Sequence, residues 1–384
     1  MGKMLGIDLG ATYSRFAHID MDGKANLLDN AEGELDTLTA VYFDYYNEAV
    51  VGRTALLESA MDPENLITDF IKYLGDESYK VKALDSEYSA EDLASYVFAK
   101  IVSDVSAFSL EDIDGAAVTC SAKLGEKGKK ALKAAAERAG LKKVTVVGDV
   151  AAKAVAYRFS ETYKNLNEFE KTVLMFDLGG STFNCSVVKI SAAEEKRTVK
   201  VETFCNACCD FGGNEWSNAL KLYGVRKFCE LTGCDEEEVL TDPETVAWFA
   251  ENIEKAIKRL SFRDATYLIV PSCGTKERFE ITREKFEEMT RVFLIKTVET
   301  AAKLLSDNKI DTAGIDEIVL AGGGCRMPQV KAEMEKAFGK PVYCEKPEEM
   351  AAKGAALLAN GYKCVEAEDK SDLIRELTSD KADR

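Results

Sequence analysis

The chain has 384 residues, 46% hydrophobic and 30% charged, enough to bury a large core and to divide into two or more domains. A formal net charge of −17 argues against a nucleic-acid groove, which needs a surplus of Lys and Arg, so any phosphate must be met locally. Eleven scattered cysteines suit a reducing cytoplasm better than a disulfide framework, a lone His18 leaves no histidine-based triad or metal site, and no apolar run reaches the roughly 18–20 residues of a membrane span.

The N-terminus enters a strand with no signal-peptide core, and Gly6 stands where N-myristoylation needs Ser or Thr. Residues 4–20 alternate as strands around a tight corner, Asp8-Leu9-Gly10-Ala11-Thr12-Tyr13, then turn at 20–24 and continue into strands at 40–43 and 49–51. The stretch from Asp62 to Gly75 starts polar and holds Lys72 between apolar neighbours, which by itself reads as a solvated helix lysine. An amphipathic helix follows from Ser89 to about Ala107, then a buried strand at 114–120 and an Ala- and Lys-rich helix at 128–139 closed by Gly140. Next come a strand at 144–147 and a second Ala-rich helix at 150–159. Asp149, in the corner before that helix, is either its cap or a catalytic carboxylate beyond a strand's C-terminal end. Residues 160–171 are polar and charged and link two halves.

The second half begins with an apolar run, a polar corner and a run of β-formers from Val173 to Val188, a hairpin with a phosphate-sized hole at its turn. Gly179 and Gly180 bring backbone N–H groups close to an anion, Ser181 and Thr182 add hydroxyls, and Asp177 is placed to hold the accompanying metal. The corner at Asp8 to Thr12 has the same order one residue shorter, which points to two like-built halves facing one nucleotide. After a strand at 199–204 come Cys205, Cys208 and Cys209, which invite a zinc reading, although no second close Cys or His pair completes a tetrahedral site. Phe211-Gly212-Gly213-Asn214-Glu215 opens a helix and is expected to aim N–H groups at an anion. A helix around 245–261 carries Glu254, Lys258 and Ser261 on one face, either a solvated salt-bridged face or a nucleoside clamp. A strand pair at 267–281 and a long helix at 282–306 lead to a buried strand at 318–321, the corner Gly322-Gly323-Gly324 and a helix at 329–338, the order of a nucleotide site. A helix at 348–358 with Gly354 amid alanines suits close packing, and 365–384 is acidic and polar, expected to be disordered or loosely helical.

Four of these segments, in order, resemble the nucleotide-binding domain of the DnaK-type, seventy-kilodalton heat-shock chaperones, within the actin and sugar-kinase superfamily. Ile7 to Ser14 is similar to the family's first phosphate loop, Asp177 to Asn184 to its second, Phe211 to Glu215 to its Leu-Gly-Gly-Glu-Asp corner, and Leu320 to Pro328 to its adenosine motif. Residues 118–157 and 346–356 fit the connecting segment and the closing helix, so the resemblance covers nearly the whole chain. It implies an α/β actin-like ATPase fold, two lobes each with a mixed β-sheet flanked by helices around a central nucleotide cleft. Lobe I would span 1–168, completed by a C-terminal helix at 347–363, lobe II 169–346, and a flexible acidic tail 364–384.

The resemblance also implies roles. Lys72 would contact the transferring phosphate, Asp149 would position water, and Asp8 and Asp177 would hold hydrated Mg²⁺. Thr12 and Thr182, with the backbone of Gly10, Ala11, Tyr13, Gly179, Gly180, Ser181, Gly212 and Gly213, would grip the phosphates of ATP or ADP. Gly322, Gly323 and Gly324 with Arg326 would sandwich the adenosine beside Glu348, and Glu254, Lys258 and Ser261 would contact purine and ribose. The implied activity is slow, Mg-dependent hydrolysis of ATP to ADP and phosphate as a conformational switch, with a J-domain protein, a nucleotide-exchange factor or a peptide-binding domain in a longer chain as partners. Alternatives are an actin-like filament former and a small-molecule kinase of the same superfamily.

Departures from the family pattern fall on hydrolysis and coupling. Asp149 stands for a Glu, Gly148 for an Asn, Val150 and Ser121 for prolines, Ala11 for a Thr, Asn184 for an Asp and Ile257 for a clamp lysine. They imply weak activity. The short region between Lys72 and Glu91 implies a trimmed outer subdomain, and only Asp372-Leu373-Ile374 resembles the family's interdomain linker, so the expectation is a switch without its own peptide-binding domain, either excised or free-standing.

Overall fold

The computed structural model describes residues 3–60, 62–108, 112–166, 168–193 and 197–366. Two six-stranded sheets dominate it. In the first, β1 (Lys3–Leu9) sits between antiparallel β2 (Tyr13–Ile19) and parallel β5 (Ile113–Cys120). β3 (Ala25–Leu27) and β4 (Thr37–Leu38) flank β2, and β6 (Lys143–Gly148) lies parallel to β5. The second sheet has the order β11–β10–β7–β8–β9–β12, with β7 (Glu170–Leu178), β8 (Phe183–Ala192), β9 (Thr198–Cys209), β10 (Glu317–Ala321), β11 (Val342–Tyr343) and β12 (Lys363–Glu366). Each sheet thus contains an antiparallel hairpin, β1–β2 or β7–β8, whose first strand also pairs in parallel with a strand from later in the chain. This repeats the internal likeness of the two corners.

Helices cover the sheets. On the first, α1 (Ala90–Phe108) and α2 (Gly125–Arg138) pack together, and Leu93, Val97, Phe98 and Ile101 join Leu5, Ile7 and Val118 in one core. Each such fully buried side chain contributes about 1.5–3 kcal/mol. On the second, α4 (Gly213–Thr232), α5 (Pro243–Leu260) and α6 (Arg283–Asp307) bury Trp216, Phe228, Phe249 and Phe286 against Phe176, Phe183 and Leu320. Asp242 caps α5 and Thr282 caps α6, its hydroxyl accepting the Lys285 N–H at 3.1 Å. α7 (Pro328–Phe338) adds Val330 and Met334 to the same core.

Between the sheets run α3 (Asp149–Arg158) and α8 (Met350–Ala359), both rich in Ala. Small residues are needed because backbones meet: a Cβ on Gly354 would lie 1.8 Å from the Ala152 carbonyl oxygen, and one on Gly6 would lie 2.0 Å from the Ala356 nitrogen. α8 therefore lies directly on β1 of the first sheet, while Val155 and Tyr157 of α3 pack with Val173, Val188 and Val199 of the second.

The expected elements differ from the observed ones at a few places. The stretch from Asp62 to Gly75 forms two 3₁₀ turns, Pro63–Asn65 and Phe70–Tyr73, around a short strand, Leu66–Ile67, because Asp69 takes φ 57° and interrupts any α-helix. The strand expected to stop at Phe204 continues through the cysteine cluster to Cys209. Residues 364–366, expected in the tail, belong to β12, where Cys364 stands beside Val199; 367–384, the rest of that tail, lie outside the described residues, as do 194–196 in the expected charged turn. No helix of the described residues is long and apolar enough to cross a membrane.

Candidate functional site

A cavity of about 620 Å³ opens between the sheets, and every residue expected to bind or react lines it except Gly212. Its walls come from the β1–β2 corner, the 3₁₀ turn with Lys72, the start of α3, the β7–β8 corner, α5 and the corner after β10.

The two hairpin corners touch. A Cβ on Gly180 would lie 2.3 Å from Thr12 Oγ1, so only glycine lets the loops meet at this distance. Ser181 donates to the Asp69 carboxylate and accepts from Thr12 at 2.8 Å and from the Asn214 amide at 3.2 Å. The N–H groups of Gly10, Ala11, Gly180 and Ser181 have no protein acceptor among the described residues, which leaves them for an anion. Gly179 differs: its N–H bonds the Thr182 carbonyl at 2.9 Å, closing the turn.

The corner at Gly212 and Gly213 corrects an expectation. Its N–H groups do not face the cavity: Gly213 and Asn214 donate to the carbonyls of Gly179 and Gly180 at 2.9 and 2.8 Å, and Gly212 donates to Glu215 Oε2 at 2.8 Å. A Cβ on Gly212 would lie 2.6 Å from both carbonyl oxygens, so this corner braces the β7–β8 loop from behind.

The floor is acidic. Asp8 at the end of β1 accepts from the Thr119 hydroxyl at 2.7 Å. Asp177 closes β7, and Gly322, held at φ 81°, packs so tightly there that a Cβ would lie 2.6 Å from Asp177 Oδ1. Asp149 is the first residue of α3, whose cap is Gly148, so the carboxylate is not spent on capping. It bonds Lys153, one helical turn on, whose ammonium lies 2.5 Å from Asp149 Oδ2 and 2.5 Å from Asp177 Oδ2. Burial pushes the Asp149 pKa up, Lys153 opposes it, Asp177 and Asp8 reinforce it, and the net value is about 6. Burial opposes the charge on Lys153, but the two carboxylates outweigh it and hold its pKa above the ordinary lysine range.

Lys72, on its 3₁₀ turn, reaches the cavity over the Tyr73 ring at 5.4 Å, and no carboxylate pairs with it among the described residues. The opposite wall is built from ion pairs and a hydrogen bond, of which Lys258 with Asp36 and Tyr13 with Glu254 cross between the lobes. Lys258 lies 3.0 Å from Asp36 and 3.1 Å from Glu254, Tyr13 donates to Glu254, and Arg15 meets Asp36 at 3.3 Å. Ser261 follows α5 directly and donates to the Lys258 carbonyl at 2.7 Å. Below them Arg326 pairs with Glu348, whose second oxygen is buried with no hydrogen-bond partner among the described residues. Lys123 pairs with Asp210 across the mouth.

Sequence reasoning missed Lys153, Asp36, Arg15 and Asp69. Asp36, Arg15 and Asp69 carry no local signal. Lys153 carried one: it is the only charged residue between Asp149 and Arg158, in a helix whose Ala151 to Val155 are otherwise all apolar and buried. Cys205, Cys208 and Cys209 follow one another along β9, and no metal-holding group of three His, Cys, Asp or Glu occurs among the described residues. The acidic floor nevertheless suits magnesium, which takes one or two carboxylates with phosphate and water rather than an all-protein cage. Asp8 and Asp177 are hard oxygen donors that both line the cavity, with Asp177 shared with Lys153.

Residues 4–80 and 74–373 match the model of the family described as Hsp70 protein. The chain is 30% identical over 362 residues to the chaperone protein DnaK of Halobacterium salinarum, covering 92% of this chain and 55% of that protein. It is 31% identical over 365 residues to the DnaK of Thermotoga maritima, covering 93% and 59%. The chain thus spans little more than half the length of these relatives.

Proposed function

The chain belongs to the Hsp70 family and has its actin-like ATPase fold, and from that premise we propose that it binds ATP and ADP with magnesium in the cleft and slowly hydrolyses ATP as a conformational switch. The observation that carries the reading is the meeting of two glycine corners, with N–H groups at Gly10, Ala11, Gly180 and Ser181 that have no acceptor among the described residues, in a cavity also lined by Lys72, Asp8, Asp149 and Asp177. Phosphates seat against those N–H groups, Thr12 and Thr182. Adenosine lies between Gly322 to Gly324 with Arg326 and the Glu254, Lys258 and Ser261 face, beside the Arg326–Glu348 pair. Asp8 and Asp177 hold magnesium, which supplies charge neutralisation across the phosphates.

Lys72 stabilises the transferring phosphate and Asp149 takes the proton of the attacking water. Asp149 shares its carboxylate with Lys153, and with Ala11 and Asn184 this favours a slow step. A J-domain protein, a nucleotide-exchange factor and a peptide-binding domain are the partners this family membership suggests, and eleven cysteines with no disulfide among them favour a cytoplasmic setting. Single-turnover hydrolysis of ATP with magnesium alone tests the reading; ADP release that appears only with an added acceptor would assign the chain to a kinase instead.

A further inference from the structure

Lys153 places an ammonium where the acidic floor of the cleft converges. It is one helical turn from Asp149 on α3, its side chain is 6% exposed, and it lies 2.5 Å from both Asp149 and Asp177. Ala152, the preceding residue, is in backbone contact with Gly354 of α8, so the helix cannot rotate the lysine out of the floor. Two carboxylates thus hold one buried cation, and Asp8 lines the same cavity and adds its negative charge to the surroundings of Asp149.

A nucleoside diphosphate entering this floor brings more negative charge to it and must meet positive charge there. A divalent ion ordinarily provides that charge, and here it competes for Asp177 with an ammonium that is already bonded, oriented and tethered to the chain. Such charge-assisted bonds are short and strong, and removing the lysine would leave Asp149 and Asp177 buried and facing each other without compensation. Resting on the adenine-nucleotide reading, we propose that Lys153 is a built-in cation that takes over part of the divalent ion's work, so that a nucleoside diphosphate binds this cleft without any divalent metal. The free N–H groups at Gly180 and Ser181 and the unpaired Lys72 receive the remaining phosphate charge.

The test is calorimetric titration and thermal unfolding of the full chain with ADP, in excess EDTA and in excess Mg²⁺. The wild-type chain is expected to lose less than about tenfold in ADP affinity on chelation and to keep most of its thermal shift, whereas Lys153→Met and Lys153→Gln bind ADP in Mg²⁺ and lose about tenfold or more in EDTA. Wild-type protein that binds ADP in Mg²⁺ but not in EDTA overturns the proposal, whether or not the variants fold. Absence of ADP binding in both buffers overturns the nucleotide reading itself and this inference with it.

Discussion

Lys72 and Asp149 look unremarkable in a helical or loop sequence, and both depend on their surroundings for a role. Lys72 has no carboxylate partner among the described residues and reaches the cavity, so Lys72→Ala should leave ADP affinity within a few-fold and slow single-turnover hydrolysis about 10²–10³-fold. Unchanged hydrolysis would remove Lys72 from the chemistry. Asp149 is raised to about 6 by burial and by its acidic neighbours, against the pull of Lys153. Only its deprotonated form can accept a proton, so the single-turnover rate should fall as pH drops through about 6, and Asp149→Asn should abolish that pH dependence together with the rate. The paired Asp-Leu-Gly corners were legible in the sequence through their glycine spacing, and both line the cavity. Lys153 left only the mark of a single charge amid apolar neighbours, which reads as a solvated pair with the acid four residues before it until the helix is seen to be buried on that side.

At the scale of elements, glycines mark where backbones meet. Gly354 lets α8 cross α3, and a methyl there would fall 1.8 Å from the Ala152 carbonyl oxygen; Gly354→Ala should cost about 1–3 kcal/mol in urea unfolding. Gly180 lets the two glycine corners touch, and a Cβ there would lie 2.3 Å from Thr12 Oγ1, so Gly180→Val should force the corners apart and weaken ADP binding. Equal nucleotide affinity in that variant would mean the corners do not grip phosphate.

Strand and helix order was readable from periodicity, since α1, α3, α5 and the paired hairpins stand close to their expected places. Two elements were not. The turn carrying Lys72 depends on the left-handed Asp69, which composition does not reveal, and the Gly212 corner was misread because a sequence shows where N–H groups are freed but not which carbonyl takes them.

For the whole molecule, the lobes are joined by α3 and α8 at the back and by side-chain bridges at the mouth: Lys123 with Asp210, Tyr13 with Glu254, Lys258 with Asp36 and Thr12 with Ser181. A ligand that binds only this closed arrangement stabilises the fold, by about 2.7 kcal/mol at a hundredfold excess over its dissociation constant. The proposed function requires phosphates, not the nucleoside alone, to seat between the two glycine corners. Calorimetric titration of the chain with ADP, in parallel with adenosine, measures this directly. One ADP per chain, bound at least about tenfold more tightly than adenosine, is the predicted result; equal affinity for the two, or no heat from either at millimolar concentration, would contradict it.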